Sequence, residues 1–380
     1  MDSTAFIHWL QAATVEENHT ARQKIIHFHD PAVYEQCTRI LSESAKSNPQ
    51  LYQIKPMPLI QALSCRMADH TPELDSSMIW VEEDEEVTVH SSVKKTPQPA
   101  GGIPWGVQQV KAPAAWSKTT GHRIRIGVID TGVDFSHPDL RQSLTRGINL
   151  LNRSTLPHDD NGHGTHIAGT IAAANQPKGM IGVAPRSTIS PVKAFDHNGS
   201  AYVSDIILGI DWCVRNRIHI INMSFGMKSR SKALLNAVAN AYHSGVIIVA
   251  SSGNDSKRKA IDYPARYSQT ISVGATNRLR RIAPFSNRGS HIDIYAPGDR
   301  IVSAWLRGKY HEMSGTSMAT SHVSGAVALL LARYPELGPS EIKLILKQAM
   351  QPLRGSKAPK VTGELDIMKM LRAADHSARP

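Results

Sequence analysis

Two regimes of apolar patterning divide the chain. Beyond about residue 105, short unbroken apolar runs alternate with longer stretches whose apolar residues recur every three or four positions. Ile124–Ile129, Val192–Phe195, Ile218–Met223, Val246–Ala250 and Thr270–Val273 are runs of strand length. Between and after them, His163–Ala174, Val203–Val214, Lys232–His243 and Ser317–Tyr334 predict helices. Gly245 follows the third helix and Pro335 stops the last. Continuous apolar strands alternating with helices predict an α/β fold, mainly a parallel sheet with helices on both faces. In such sheets ligands sit beyond the carboxyl ends of the strands. Asp130 and Asn254 fall at or just after such ends.

The first 90 residues read differently. Lys24–Phe28 predicts a strand, and Pro31–Ser42 a helix with Pro at its start and apolar Val33, Tyr34, Cys37, Ile40 and Leu41. Leu51–Leu63 alternates loosely and predicts extended structure. Met78–Val81 predicts a short strand running into the acidic stretch Glu82–Glu86. These elements make a compact α+β unit over residues 1–90. Val87–Pro104 is rich in Ser, Lys, Thr, Pro and Gly and reads as a linker, placed at residues 91–104 between the small unit and a large one at 105–380.

Composition narrows the class. The chain has 380 residues, 41% of them hydrophobic, which excludes a disordered chain. The longest purely apolar run, Ala326–Ala332, is far short of the roughly 18 residues a membrane span needs. Cys37, Cys65 and Cys213 are too few for a disulfide framework and too far apart for a zinc ribbon. Met1–Gln11 carries an acid at position 2, no Lys or Arg and no sustained apolar stretch. That is not a secretory signal, so the cytoplasm is the expectation from sequence.

The net charge of +11 is unevenly spread. Residues 1–99 hold 8 Lys and Arg against 14 Asp and Glu, a charge of −6, and the remainder carries +17. Charge alone leaves two readings: a nucleic-acid binder, or a basic unit that docks its own acidic segment. No nucleic-acid motif is present and the basic residues are dispersed. Lys257-Arg258-Lys259 and Arg278–Arg281 read as solvated loops.

Four short motifs carry chemistry. Val128-Ile129-Asp130-Thr131-Gly132 puts an acid at a strand end, and Asn161-Gly162-His163-Gly164-Thr165-His166 puts a His between glycines at a helix start. Ser251-Ser252-Gly253-Asn254 is an amide-bearing turn after a strand, and Ser314-Gly315-Thr316-Ser317-Met318-Ala319 is a Ser opening a long helix. A serine hydroxyl needs a base, histidine takes and returns a proton near neutral pH, and a buried carboxylate fixes the histidine tautomer. A helix N-terminus and an asparagine amide are suitable donors to a developing oxyanion.

These motifs, in the order Asp, His, Ser, resemble those of the subtilisin-like serine proteases, over about Trp105–Leu365. The resemblance implies that Asp130 orients, His163 is the general base, Ser317 the nucleophile and Asn254 an oxyanion donor, with no cofactor for catalysis and polypeptides as substrates. It implies a monomer with no specific nucleic-acid partner. Subtilisin-like proteases are mostly exported, which leaves the location open. Ser321 stands where the family usually has Pro. His166, His322 and Cys213 read as core residues rather than metal ligands.

The small unit resembles the family's inhibitory propeptide, through Trp80-Val81-Glu82-Glu83-Asp84 before the linker. That implies a ferredoxin-like module whose tail lies through the active site, released by cleavage between His90 and Gly102. The resemblance also implies a structural calcium site, with Asp139 and Gln176 side chains and the carbonyls of Ala174, Lys178 and Met180. It further places Ser224-Phe225-Gly226 and Ser251-Ser252-Gly253 as walls of the pocket for the residue before the scissile bond, with Asp262 at its base and Asp255 on the rim. A carboxylate there is expected to favour Lys or Arg, unless Arg258 or Lys259 neutralises it, and would make Lys94-Lys95 a self-cleavage site.

Overall fold

The computed structural model describes residues 3–14, 22–46, 48, 51, 53–68, 78–90, 92–94, 102–174, 179–355 and 362–377. The N-terminal unit runs α1 (Ser3–Ala13), β1 (Arg22–Phe28), α2 (Pro31–Ser44), β2 (Lys55–Met57), a 3-10 turn (Pro58–Ile60), β3 (Ala62–Met67) and β4 (Ile79–Glu83). Asp30 caps α2 by accepting the Ala32 N–H at 2.8 Å, and Pro31 pre-sets its first turn. The strands pair antiparallel in the order β2-β3-β1-β4, that of a ferredoxin-like sheet. Strand alternation splits their side chains between two cores. Ile26 and Leu63 pack with Phe6, Leu10, Cys37 and Leu41 of α1 and α2. Ile25, Met57, Ile60 and Ala62 join the core of the large unit instead. The alternating stretch Leu51–Leu63 is therefore two short strands about a turn, not one extended segment.

The segment read as a linker contains two strands, β5 (Glu86–Val89) and β6 (Ser92–Lys94). Their own pattern is weak because their pairing partners lie in the large unit. That unit continues with α3 (Trp105–Gln109), α4 (Ala112–Ala115), β7 (Arg125–Asp130), β8 (Ile148–Asn149), α5 (His163–Ala172), β9 (Thr188–Lys193) and β10 (Ser200–Tyr202). It follows with α6 (Val203–Arg215), β11 (Ile220–Met223), β12 (Phe225–Gly226), α7 (Lys232–His243), β13 (Ile247–Ser251), β14 (Ile271–Thr276) and β15 (Ile294–Pro297). Then come β16 (Ile301–Trp305), β17 (Lys309–Ser314), α8 (Thr316–Arg333), α9 (Pro339–Gln348), β18 (Gln351–Pro352), β19 (Gly363–Glu364) and α10 (Ile367–Ser377).

Nine strands form the main sheet, in the order β18-β19-β15-β14-β13-β11-β7-β9-β8. All neighbours are parallel except the edge strand β18. Strands β11, β13 and β14 are buried along their whole length, as a sheet covered on both faces requires. Helices α5 and α8 cover one face and α6 and α7 the other. The chain is thus an α/β protein.

The N-terminal sheet rests on α6 and α7. Glu82 Oε1 accepts from Ser231 Oγ at 2.8 Å and Ala233 N at 3.0 Å, and its Oε2 from Lys232 N at 3.2 Å, all at the N-terminus of α7. Asp84 Oδ1 accepts from Ser204 N at 2.9 Å in the first turn of α6. The acidic segment therefore meets helix N-terminal amides, where a carboxylate satisfies orphan donors and the positive dipole end. One contact runs the opposite way in charge, Lys55 Nζ to Asp205 at 2.8 Å.

Candidate active site

Asp130 ends β7 and is fully buried. Its Oδ1 accepts the Thr131 N–H at 2.8 Å. His163 opens α5, with Nδ1 at 2.7 and 2.9 Å from the two Asp130 carboxylate oxygens. A proton on Nδ1 satisfies that pair and leaves Nε2 with a lone pair. Nε2 is buried without a hydrogen-bond partner among the described residues.

The flanking glycines are steric requirements. Gly162 has φ +106°, and a Cβ there would lie 2.3 Å from the Trp305 ring; one at Gly164 would lie 2.1 Å from the Gly132 carbonyl oxygen. Sequence reasoning missed Asp159. Its carboxylate accepts from Thr131 Oγ1, the amides of Asn161, Gly162 and Thr165, and Thr165 Oγ1, at 2.6–3.0 Å. The legible signal was the Asp-Asp-Asn-Gly run preceding the histidine, a strong turn pattern.

Ser317 lies in the first turn of α8, fully buried. Its Oγ is 2.8 Å from the Ser224 carbonyl oxygen and 3.0 Å from that of His90. Asn254 Oδ1 accepts from Thr316 N and Oγ1, both at 2.9 Å, while its Nδ2 donates to the His90 carbonyl at 3.1 Å. Two residues of the expected constellation, Ser317 and Asn254, thus meet at one peptide carbonyl of the chain itself, while the other two, His163 and Asp130, pair with each other. His90 was not singled out by sequence beyond the edge of a cleavage window.

The chain on both sides of that carbonyl is held as a strand. β5 lies between β10 and β12, antiparallel to each, with Ala201 opposite Val87 and Phe225 opposite Val89. β6 pairs antiparallel with β17, Lys94 opposite Glu312 and Ser92 opposite Ser314. The bond after His90, not Lys94-Lys95, lies at Ser317. Lys94 is within β6, and Lys95 falls outside the described residues.

The His90 ring lies against Gly226 of one predicted wall and beside Asp262, which in turn meets Gly253 of the other. Phe225 turns its ring into the core, 4.9 Å from that of Phe195, so the wall here is backbone. A Cβ at Gly226 would lie 2.5 Å from His90 Cε1, and one at Gly253 2.4 Å from Asp262 Oδ2. Ser224 Oγ accepts from Asn222 Nδ2 at 2.8 Å, and Ser251 Oγ reaches the Phe225 carbonyl at 3.4 Å. The Ser252 carbonyl accepts the Asp262 N–H at 3.2 Å. Asp262 is 2% exposed, with Oδ2 3.2 Å from His90 Nε2. Its counter-ion is neither Arg258 nor Lys259 but Lys228, whose Nζ is 2.9 Å from both carboxylate oxygens. Lys228 also pairs with the exposed Asp255. Burial raises the Asp262 pKa, and Lys228 opposes that shift.

Of the expected calcium ligands, Gln176 and Lys178 lie outside the described residues. Asp139 is buried, and its Oδ2 already accepts from Met180 N at 2.9 Å and Tyr310 O–H at 2.7 Å. Ala174 donates its N–H to the Asp139 carbonyl at 2.9 Å and bridges Ile181. No cluster of three metal-ligating side chains occurs among the described residues.

The remaining motif histidines are core groups. His166 Nε2 lies 3.1 Å from the Ile301 carbonyl, and His322 Nδ1 2.8 Å from that of Met318. Burial lowers both pKa values, to about 3 and about 4. Ser321 bonds back to the Ser317 carbonyl at 2.9 Å, so α8 continues without distortion where the family usually has Pro.

Residues 121–365 match the profile of the subtilase family. Subtilisin E of Bacillus subtilis (strain 168) is 41% identical over 274 residues, covering 71% of this chain and 69% of that protein. Subtilisin of Bacillus pumilus is 43% identical over 249 residues, 64% of this chain and 90% of its own. A thermostable alkaline protease of Halalkalibacterium halodurans is 37% identical over 299 residues, 78% and 79% of the two chains.

Proposed function

The chain belongs to the subtilase family of serine endopeptidases, and from that premise we propose that it is made as a self-inhibited precursor that cuts its own backbone after His90. In this reading residues 1–90 are the inhibitor and residues 105–380 the catalytic unit. Ser317 Oγ gives its proton to His163 Nε2 and attacks the His90 carbonyl carbon. Asp130 holds the imidazole in the required tautomer and stabilises its charged form. The oxyanion forms on the oxygen that Asn254 Nδ2 already contacts, beside the Ser317 amide in the first turn of α8, which has no intrahelical acceptor. His163 then protonates the leaving amine, the C–N bond breaks, and water hydrolyses the acyl-enzyme with the roles reversed.

The observation that carries this reading is the His90 carbonyl, 3.0 Å from Ser317 Oγ and 3.1 Å from Asn254 Nδ2, with the chain paired on both sides of it. After cleavage, β5 still fills the substrate cleft and Glu82 still caps α7, so the fragment remains an inhibitor. N-terminal sequencing of purified, active protein is expected to give Ser91. An intact 380-residue chain with full peptidase activity would overturn the proposal.

Glu82 supplies the testable part of inhibition. Its carboxylate takes three donors at the α7 terminus. Charge-assisted hydrogen bonds are worth roughly 1.5–3 kcal/mol, and exposure keeps the effect toward the lower figure. In Glu82→Ala the cleaved fragment is expected to leave about 10-fold faster. The lag before activity appears on dilution reads this directly.

The residues described around Asp139 do not fit calcium well. Calcium takes six to eight oxygen ligands, whereas Asp139 Oδ2 is occupied by two protein donors. Chelation by EDTA is therefore expected to leave the melting temperature unchanged. A clear fall would restore the site.

A further inference from the structure

The pocket beside the scissile bond pairs an acid with a cation, and that pairing changes what the acid can recognise. An unpaired buried carboxylate would attract Lys or Arg. Asp262 is not unpaired: Lys228 Nζ sits 2.9 Å from each of its oxygens. Lys228 lies two residues after Gly226, and its side chain, 56% exposed, sets the ammonium on the Asp262 carboxylate from the solvent side. A second cation seeking Asp262 would meet that ammonium already on the same carboxylate, and like charges at an interface are penalised. A neutral imidazole meets no such penalty, and in His90 its Nε2 lies 3.2 Å from Asp262 Oδ2.

The fit is also steric. A Cβ at Gly226 would lie 2.5 Å from His90 Cε1, so the ring fills the slot up to the backbone. The environment keeps that ring uncharged: burial, then the charge of Lys228, lowers its pKa to about 4. Asp255, which also pairs with Lys228, acts in the opposite sense and ranks after both.

We propose that Lys228 is a specificity-determining residue, which by bridging Asp262 makes this pocket select histidine over lysine, arginine and phenylalanine before the scissile bond. Phenylalanine leaves Lys228 as the donor to Asp262 and forfeits the polar contact that a histidine Nε2 makes there, and sites built around such a contact discriminate against analogues that lack it. The inference rests on the serine-protease reading of the cleft and on the assignment of this pocket.

The test measures kcat/KM on matched peptides with His, Arg or Phe at that position, at pH 8, where the peptide histidine is neutral. Mature wild-type enzyme is expected to prefer His over both others by about 10-fold or more. Lys228→Met is expected to shift the Arg-to-His ratio toward Arg by about 10–100-fold, because the carboxylate is then unopposed. Asp262→Asn is expected to shrink the His advantage without raising Arg. Each ratio is taken within one protein, so partial misfolding of a variant lowers all three rates and leaves the ratio readable; Lys228→Gln provides a second, polar replacement. A wild-type preference for Arg or Phe, or an Arg-to-His ratio unmoved in both Lys228 variants, overturns the inference while leaving the protease reading intact. Wild type that cleaves none of the peptides and takes up no serine-directed fluorophosphonate overturns both.

Discussion

Ser317→Ala is expected to leave the 380-residue chain uncut, with no new N-terminus at Ser91 and no uptake of a serine-directed fluorophosphonate. Ser317 Oγ is the hydroxyl that lies 3.0 Å from the His90 carbonyl oxygen. Without it, His163 Nε2 has no proton to accept and no bond to the acyl carbon forms. The loss in kcat is expected to be roughly 10⁶-fold, a magnitude established for triad serines of this same family rather than deduced from this geometry. Stability should change little, because the hydroxyl's contacts are to the Ser224 and His90 carbonyls, and the variant keeps the buried α8 packing. Mass spectrometry of the purified variant beside wild type reads the outcome. A variant that still matures at His90 during purification, at undiminished rate and high dilution, would place the nucleophile elsewhere.

Asn254 carries two jobs, and two variants separate them. Its Nδ2 donates to the His90 carbonyl, while its Oδ1 holds the N–H and hydroxyl of Thr316 at the start of α8. Asn254→Leu removes both. It is expected to lower kcat by about 10²–10³-fold with a small change in KM, a range likewise known from the family's own oxyanion asparagine. The oxyanion exists only in the transition state, so the loss falls on kcat. It is also expected to lower the melting temperature, since the buried Thr316 donors lose their acceptor. Asn254→Asp keeps an acceptor for Thr316 but has no N–H to offer and adds negative charge beside the oxyanion. Its kcat is expected to fall at least as far while the melting temperature recovers. A raised KM with unchanged kcat in both variants would make Asn254 a binding residue only.

The patterned half of the molecule was legible. The apolar runs that became β7, β11, β13 and β14, and the helices α6, α7 and α8, follow from burial on one or both faces, and the observed bounds differ from those expected by a few residues at most. β9 began four residues earlier than its apolar run because Thr188 and Ser190 interrupt the signal inside a buried sheet. Asp130, His163, Asn254 and Ser317 stood out because each sits at or beside the end of a strand or helix, in a short run of glycines and polar residues that breaks the apolar periodicity. The short strands β15 to β17, helix α9 and the end helices α1 and α10 were not anticipated, since their apolar faces make sense only against elements distant in sequence.

The amino-acid sequence by itself determined the class of fold and the order of its main strands and helices, and it singled out the four residues proposed to carry catalysis, because periodicity and turn chemistry are local. Tertiary structure alone decided which bond of the chain faces Ser317. β5 and β6 have no pattern of their own, and their register comes from backbone pairing with β10, β12 and β17, up to about 220 residues away. It decided too that Lys228, rather than Arg258 or Lys259, answers Asp262. A charge in sequence has no partner until folding sets distances, and in a buried pocket that partner determines whether a carboxylate reads a cation or a hydrogen-bond donor.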